Sequence, residues 1–161
     1  ELRGVLEGTA ARLAAERGVP DDKMAAIRAI LRRLDTVFGP SVDDTDVEAY
    51  AELNSEFHTA LAGLSGSKVV QREIERATRL PFASPSAFLP DVAHFEEFRR
   101  SLIVGQEQHR AIVEAIAARE GARAEAVARE HTRAARHNLE HIFAGDERRH
   151  SQVPGLALIV D

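Results

Sequence analysis

Apolar residues recur at helical spacing along most of the chain, whereas the strict apolar–polar alternation of a half-buried strand is scarce. Glycine and proline interrupt this pattern at points where helices would end. The spacing predicts helices over residues 2–17, 21–38, 45–64, 68–80, 91–104, 106–119 and 122–148. Because the predicted connections are short, as in bundles of antiparallel neighbours, we predict an all-α antiparallel bundle of six to seven helices.

Each of the first two predicted helices has an apolar stripe that should face the core. The first stripe comprises Leu2, Val5, Leu6, Ala10 and Leu13. The second comprises Met24, Ile27, Leu31, Leu34 and Phe38. The third helix begins with a capping-box sequence, Thr45 followed three residues later by Glu48. Further along, a proline-rich segment at 81–90 is the main break, and Gly105 and Gly121 interrupt the later helical pattern.

The third helix carries two polar residues, Asn54 and His58, on its apolar face. They are four residues apart in the motif NSEFH, so a helix places them on the same side. The apolar residues that share this face are Tyr50, Leu53, Phe57, Leu61 and Leu64. A buried imidazole or amide is costly unless it finds a partner. The pattern therefore indicates that both side chains have a specific partner inside the protein.

Two later histidines also lie on apolar helix faces. The face of His109 carries Ile112, Val113 and Ile116. The face of His131 carries Ala124, Val127, Ala128, Ala135 and Ile142. His137 and His141 lie roughly 80–120° around the helix from His131, which places them at the flank or in solvent. The histidines near predicted helix ends are His94 and His150.

Three histidines and one asparagine on the inner faces of three helices are typical of metal sites in helical bundles. Neutral imidazole binds Zn²⁺, Ni²⁺, Cu²⁺ or Fe²⁺, and an amide oxygen can add a fourth bond. The chain has no cysteine, so any metal must be held by nitrogen and oxygen atoms. Alternatively, each histidine is a core residue hydrogen-bonded to a neighbour or is only half buried. The pattern alone leaves both interpretations open.

The amino-acid composition limits the compartment and the partners that we expect for the protein. The absence of cysteine excludes disulfides and cysteine nucleophiles and fits a reducing compartment such as the cytoplasm. The apolar runs are too short to cross a membrane. The net charge is −5, with acids and bases interspersed, so we do not expect this chain to bind nucleic acid by itself. Because it begins without Met inside a helical pattern, we interpret it as part of a longer protein.

Four short motifs carry a resemblance to a known family. They are Phe57-His58 with Asn54 before it, QEQHRAIVEAI around His109, AVAREHTRAA around His131, and the opening RGVLEGTAARLAAER with Arg3 and Glu7. In their order and placement they resemble the FCD domain, the effector-binding C-terminal domain of FadR-type regulators in the GntR family. The resemblance runs from about Glu1 to His141.

This resemblance implies a helical domain, usually dimeric, that binds a divalent metal and a small organic acid while a separate winged helix-turn-helix domain binds DNA. The implied ligands are Asn54, His58, His109 and His131, and Zn²⁺ or Ni²⁺ is the expected metal. Many members have Asp where this chain has Asn54, which removes one negative charge beside the metal. The resemblance also implies that Arg3 reaches the effector's carboxylate; the alternative is a surface ion pair between Arg3 and Glu7, which would contribute little.

The predicted domain organisation follows from these observations. Residues 1–150 are expected to form the ligand-binding and dimerisation domain, and a winged helix-turn-helix domain is expected before residue 1. The tail at 151–161, SQVPGLALIVD, breaks the helical pattern and could be a short strand, a packed extension or foreign sequence. We expect a cytoplasmic homodimer that contacts DNA only through the missing domain and does not contact a membrane.

Two classes of function fit a metal held by three histidines. In a sensor, metal and bound acid bias the bundle, and the bundle repositions DNA-binding domains. In a metal-dependent hydrolase, the same site would activate water, which requires a general base. Glu56 and Glu107 are two residues from His58 and His109, so they point about 200° away along each helix and fit that role poorly. We therefore predict a sensor and not an enzyme. Because Asn54 is neutral, the metal would keep its full charge and favour a carboxylate ligand.

Overall fold

The computed structural model describes residues 1–80 and 96–144, and the regular structure in these residues is entirely helical. The helices are α1 (Leu2–Arg17), α2 (Asp21–Asp35), a 3-10 helix (Val42–Asp44), α3 (Val47–Leu64), α4 (Lys68–Thr78), α5 (Glu96–Ala117) and α6 (Gly121–Ala144). The all-α bundle predicted from the sequence is confirmed. The predictions made for residues 81–90, His94, His150 and residues 151–161 lie outside the described residues, as does the side chain of His141.

Large apolar side chains from α2, α3 and α5 form the main core. The largest that are fully buried are Ile27, Leu34, Phe57, Leu61, Ile112 and Ile116. The predicted stripe of α2 is confirmed except at its end, because the helix ends at Asp35 and Phe38, beyond it, is only partly buried. The predicted apolar face of α3 is confirmed throughout. These helices therefore position their inward faces as their hydrophobic periodicity predicts.

The buried face of α1 differs from the predicted stripe. Leu2 is 58% exposed and Val5 is 45% exposed, so the prediction that they face the core is wrong. The residues that α1 buries are Gly4, Glu7, Gly8, Ala10, Ala11, Ala14 and Ala15. All of them except Glu7 are small, and a helix face of small residues lets the backbones of neighbouring helices approach closely.

Glycines in α1 permit its close approach to α6. A Cβ atom placed on Gly4 would lie 3.2 Å from Cβ of Thr132. One placed on Gly8 would lie 2.8 Å from Cγ of Arg129 and 3.2 Å from the backbone oxygen of Glu125. Since real Cβ atoms rarely come so near, a side chain at either position would push the two helices apart. The packing of α1 therefore depends on residues that a hydrophobicity pattern does not mark.

The predicted start of α3 and the predicted break at Gly105 also differ from the structure. The cap of α3 is Asp46, whose carboxylate accepts a hydrogen bond from the amide of Ala49 at 3.0 Å, and not Thr45. Further along, α5 continues through Gly105, so the prediction of separate helices at 91–104 and 106–119 is wrong. Glycine weakens a helix interior by about 1 kcal/mol relative to alanine, which packing on both sides of Gly105 can offset.

Within residues 1–80 and 96–144, no helix combines the length and the apolar character that a membrane span needs.

Candidate metal centre

Three histidines from three helices meet in the interior of the bundle. His58 lies on α3, His109 on α5 and His131 on α6, and their exposed fractions are 4%, 0% and 6%. One ring nitrogen from each lies within 4.8 Å of those of the other two. The sequence placed each of these residues on an inner face, and the structure brings all three together. The set matches the all-nitrogen ligation that a Zn²⁺ or Ni²⁺ site accepts.

The closest pair in this cluster is His109 and His131. Their Nε2 atoms are 3.1 Å apart. Two imidazoles that share one Zn²⁺ with tetrahedral geometry, each with a Zn–N bond of about 2.0–2.1 Å, have nitrogens roughly 3.3 Å apart. The observed separation is therefore close to what a shared metal ion requires.

Hydrogen bonds to Gln106 determine which nitrogen of His109 carries its proton. The side-chain amide nitrogen of Gln106 donates to the backbone oxygen of Leu31 at 3.1 Å and to Oδ1 of Asp35 at 2.5 Å. Because both partners only accept hydrogen bonds, the amide orientation is fixed and Oε1 of Gln106 faces Nδ1 of His109 at 3.1 Å. Nδ1 therefore donates, and Nε2 presents a lone pair.

His131 makes a similar contact with a second glutamine. Its Nδ1 lies 3.0 Å from Oε1 of Gln108, and when Nδ1 donates to this oxygen, Nε2 is the nitrogen with the lone pair. Two neutral imidazoles with these tautomers direct lone pairs at one another across the 3.1 Å gap to His109. That contact is unfavourable unless a cation lies between the two nitrogens. The residues present therefore fit a metal ion.

A proton is a poor substitute for that cation near neutral pH. Burial, together with the repulsion that protonated His131 and His58 would exert, lowers the pKa of His109 well below its ordinary value. Burial and the charge on His58 lower the pKa of His131 to about 3. Both rings are thus neutral at neutral pH, which is the state that binds metal.

The third histidine is held by an acidic residue of α1. Oε2 of Glu7 lies 3.1 Å from Nδ1 of His58, and Glu7 is only 1% exposed. Burial alone would raise the pKa of Glu7, but the charge and hydrogen bond of His58 and the charge of Arg3 together lower it to about 2. Glu7 is therefore an ionised carboxylate inside the bundle. A carboxylate that orients a histidine ligand is a recurrent feature of metal sites.

Arg3 also lies beside this cluster. Its NH1 atom is 3.5 Å from Oε1 of Glu7, and its side chain is 13% exposed. The ion pair that the sequence suggested between Arg3 and Glu7 is present, but it is largely buried and not on the surface. Sequence reasoning missed Glu7 as part of the site. The available signal was its position between Gly4 and Gly8, on a helix face otherwise made of small residues.

Asn54 is buried on α3, one helical turn before His58, with 4% of its surface exposed. It shares the inner face of this helix with His58, as the spacing predicts. His137, by contrast, is exposed on α6, in agreement with its predicted position at the flank or in solvent. The sequence thus separated inward-facing from outward-facing polar residues correctly on these two helices.

Space beside His131 depends on Gly105. A Cβ atom at this position would lie 3.2 Å from the hydroxyl oxygen of Tyr50 and 3.7 Å from Cε1 of His131. The glycine that the sequence marked as an interruption therefore leaves room for a buried tyrosine and a histidine of the cluster. Its role is spatial, since the helix continues through it.

The candidate general bases of a hydrolase point away from the histidines. Glu56 is exposed and pairs with Arg33 at 2.8 Å. Glu107 is also exposed and pairs with Arg110. The enzymatic alternative therefore gains no support from these two carboxylates, which the sequence had already placed on the outer faces.

Comparison with known proteins gives the assignment that the motifs suggested. The family model of the FCD domain matches residues 1–134. The chain is 28% identical over 144 residues to the Glc operon transcriptional activator of Escherichia coli K12, and the protein of the same name from Escherichia coli O6:H1 matches to the same extent. These matches cover 88% of this chain and 54% of each relative, so the chain spans about half the length of the curated relatives it matches.

The family match decides between the two classes of function raised by the sequence. FCD domains are regulatory modules and not enzymes, so the prediction of a non-enzymatic regulator is confirmed. The match includes the segments that hold all three buried histidines. The chain therefore belongs to the FCD domain family of GntR-type transcriptional regulators.

Proposed function

We propose that this domain is a metal-dependent sensor of small carboxylic acids. The observation that carries the proposal is the 3.1 Å approach of Nε2 of His109 to Nε2 of His131, with Nδ1 of each ring bonded to a glutamine oxygen. With Nδ1 of each ring carrying the hydrogen, this arrangement places two lone pairs against each other, and a cation between the two nitrogens relieves that repulsion. Zn²⁺ and Ni²⁺ fit best, because both accept several neutral imidazoles.

The proposed ligands are His58, His109 and His131, with the side-chain oxygen of Asn54 as the fourth. Three neutral imidazoles and one neutral amide would leave a bound divalent ion with its full +2 charge. A bare charge of this size is costly in a bundle interior. The metal would thus supply a Lewis-acidic position that favours an anionic oxygen ligand.

The proposed effector is a small organic acid, because a carboxylate can neutralise the metal and complete its coordination. Arg3 supplies a second recognition point. Its guanidinium is largely buried beside Glu7, and a planar guanidinium binds carboxylates through two parallel hydrogen bonds. A dicarboxylate or hydroxy acid would use both points, with one oxygen group on the metal and the other on Arg3.

In the whole protein, we infer that this domain controls a winged helix-turn-helix domain located before residue 1. The chain spans about half of its relatives in Escherichia coli, which are named as operon activators, so the other half has room for such a domain. The chain itself is acidic, with a net charge of −5, and would not hold DNA alone. We further propose that the protein is a cytoplasmic homodimer, with residues 1–150 as its sensing and dimerisation domain.

Metal analysis and thermal melting test this proposal directly. The purified chain should bind about one Zn²⁺ or Ni²⁺, and a chelator should lower its melting temperature, since a ligand at 100 times its Kd stabilises the folded state by about 2.7 kcal/mol. His109→Ala should abolish both effects. The matched control is His137→Ala, which removes an exposed histidine and should change neither. A metal-free chain that shows no shift with added Zn²⁺ or Ni²⁺ would disprove the metal-dependent function.

A substitution at Asn54 tests the effect of the charge of the proposed ligand set. Asn54→Asp moves one negative charge into the ligand set, so it should tighten Zn²⁺ binding and weaken the binding of carboxylates such as malate or glycolate. Isothermal titration calorimetry measures both affinities. If neither changes, Asn54 does not contact the metal and the proposed ligand set is wrong.

A further inference from the structure

The proton-bearing nitrogens of the three clustered histidines face oxygen atoms. Nδ1 of His109 faces Gln106, and Nδ1 of His131 faces Gln108, both of which are neutral amides on α5. Nδ1 of His58 faces a carboxylate instead, which Glu7 extends from α1. Of these three acceptors, only Glu7 is charged, and only Glu7 lies on a helix other than α5.

We propose that Glu7 is a positioning residue of the metal centre, which fixes the ring of His58 and supplies the negative charge that Asn54 does not. The proposal rests on the metal site put forward above and adds a role for a residue outside the ligand set. Glu7 acts through His58, because its carboxylate contacts the ring nitrogen that would not bind the metal.

The hydrogen bond between these residues determines the tautomer of His58. An ionised carboxylate only accepts hydrogen bonds, so Nδ1 of His58 must carry the hydrogen. Nε2 is then the nitrogen available to the metal, as in His109 and His131. All three rings thus present the same atom, Nε2, to the metal.

The packing of α1 indicates that this helix is built to deliver the carboxylate. Glu7 is the one charged residue among the buried positions of α1 and has a glycine on each side, Gly4 and Gly8. Those glycines bring α1 so near to α6 that a Cβ atom at either position would meet its side chains. An unpaired carboxylate at 1% exposure is costly, and the partners of Glu7 are His58 on one oxygen and Arg3 on the other.

The charge of Glu7 also changes the electrostatics of the site. A divalent metal held only by neutral ligands would keep its full charge of +2. A carboxylate that is hydrogen-bonded to one of the histidine ligands makes that imidazole a stronger electron donor to the metal. Glu7 thus stabilises the metal from outside the ligand set and leaves coordination positions open for an anion. A carboxylate at position 54 would instead supply that charge from within the ligand set.

The test compares two substitutions of Glu7 in the purified chain, with Zn²⁺ affinity measured by competition against a chelating dye. Glu7→Gln keeps an acceptor oxygen and removes the charge, so it should weaken Zn²⁺ binding by roughly 10-fold. Glu7→Leu removes both and should weaken it by roughly 100-fold. The matched control is Glu16→Gln, which changes an exposed glutamate of α1 that pairs with Arg12 and should have no effect.

A second readout separates positioning from a general structural role. Nitrogen NMR of the imidazole rings distinguishes Nδ1–H from Nε2–H, and in metal-free protein His58 should be the Nδ1–H form. Glu7→Leu should convert it to a mixture while the signals of His137 stay unchanged. In a His58→Ala background, Glu7→Gln should cause no further loss of Zn²⁺ affinity, because the residue through which Glu7 acts is gone.

The outcomes distinguish this proposal from the proposed function. If the unaltered chain binds no Zn²⁺, both fail. If it binds Zn²⁺ and Glu7→Gln binds as tightly with an unchanged His58 tautomer, the metal-dependent function stands and the role of Glu7 is refuted. Should Glu7→Leu fail to fold, Glu7→Gln and the His58→Ala background still decide the question.

Discussion

Helices α1 and α2 are neighbours along the chain and bury opposite kinds of residue. On α2 the buried positions are large and apolar, among them Ile27 and Leu34 with no exposed surface. On α1 the buried positions are glycine, alanine and one glutamate, while the large residues Leu2 and Val5 face outward. Both helices contribute buried residues to the bundle, but only α2 has the apolar stripe by which amphipathic helices are recognised.

The difference shows that a helix can be buried for two reasons. The face of α2 removes apolar surface from water, which stabilises the fold roughly in proportion to its area. The face of α1 gains little from area and depends on close backbone approach to α6, which brings Glu7 to His58. We therefore expect α2 to contribute mainly to stability and α1 to contribute mainly to the proposed metal centre.

The largest expected effect is on the α2 side. Leu34→Ala removes a fully buried side chain and should lower the free energy of unfolding by about 2–5 kcal/mol. Zn²⁺ affinity measured on the folded fraction should stay the same. Urea titration gives the first quantity and dye competition the second. A loss of Zn²⁺ affinity with little loss of stability would reverse the assignment of roles.

Low pH should destabilise the protein through the carboxylate of Glu7 on α1. The pKa of Glu7 is lowered from the ordinary value of 4.5 to about 2, so its ionised form contributes stability that is present above about pH 4.5 and lost as the pH falls toward 2. The contribution should be on the order of 3 kcal/mol in metal-free protein. Unfolding measured across this range should show a smaller decline for Glu7→Gln than for Glu16→Gln. Equal declines would mean that Glu7 is not ionised inside the bundle.

Smaller changes should follow from filling the contact between α1 and α6. Gly8→Ala places a methyl group 2.8 Å from Arg129, and overpacking of about 1–3 kcal/mol should outweigh the gain of about 1 kcal/mol from higher helix propensity. The control is Gly63→Ala in α3, where nothing lies within 4 Å, and it should stabilise by about 0.5–1 kcal/mol. Thermal melting measures both effects. If the melting temperature changes in the same direction in both variants, this prediction is wrong.

The smallest effect is expected on the exposed face of α1. Leu2→Ser should change the free energy of unfolding by less than about 0.5 kcal/mol, because Leu2 is 58% exposed. A loss of several kcal/mol in chemical denaturation would show that this side chain belongs to a core, as its hydrophobic spacing suggested.

Sequence reasoning located the histidines because each interrupts a regular apolar face. His58 and His109 lie among large apolar neighbours, so their burial followed from helical periodicity alone. Glu7 was missed for the opposite reason: its neighbours on the buried face are glycine and alanine, which give no hydrophobic signal. The role of Asn54 as a ligand, which its place on the inner face of α3 and the family resemblance both suggested, stays a prediction.

The errors in the helix boundaries also have physical causes. Thr45 and Asp46 are both good caps, and only the hydrogen bond from Ala49 to Asp46 selects between them. Gly105 suggested a helix end, but tertiary packing on both sides carried α5 through it. In each instance the deciding interaction depends on three-dimensional contacts that the local sequence does not encode.

The hydrogen bonds of Gln106 make its side-chain amide a natural NMR probe of the bundle interior. Both partners of its amide nitrogen, the backbone oxygen of Leu31 and Oδ1 of Asp35, accept hydrogen bonds, and the side chain is 2% exposed. Its two amide hydrogens should therefore exchange slowly with solvent and give resolved proton signals in NMR. Since Oε1 of the same group holds His109, those signals should shift when an ion or acid enters the cluster, and they report its arrival without any label or substitution.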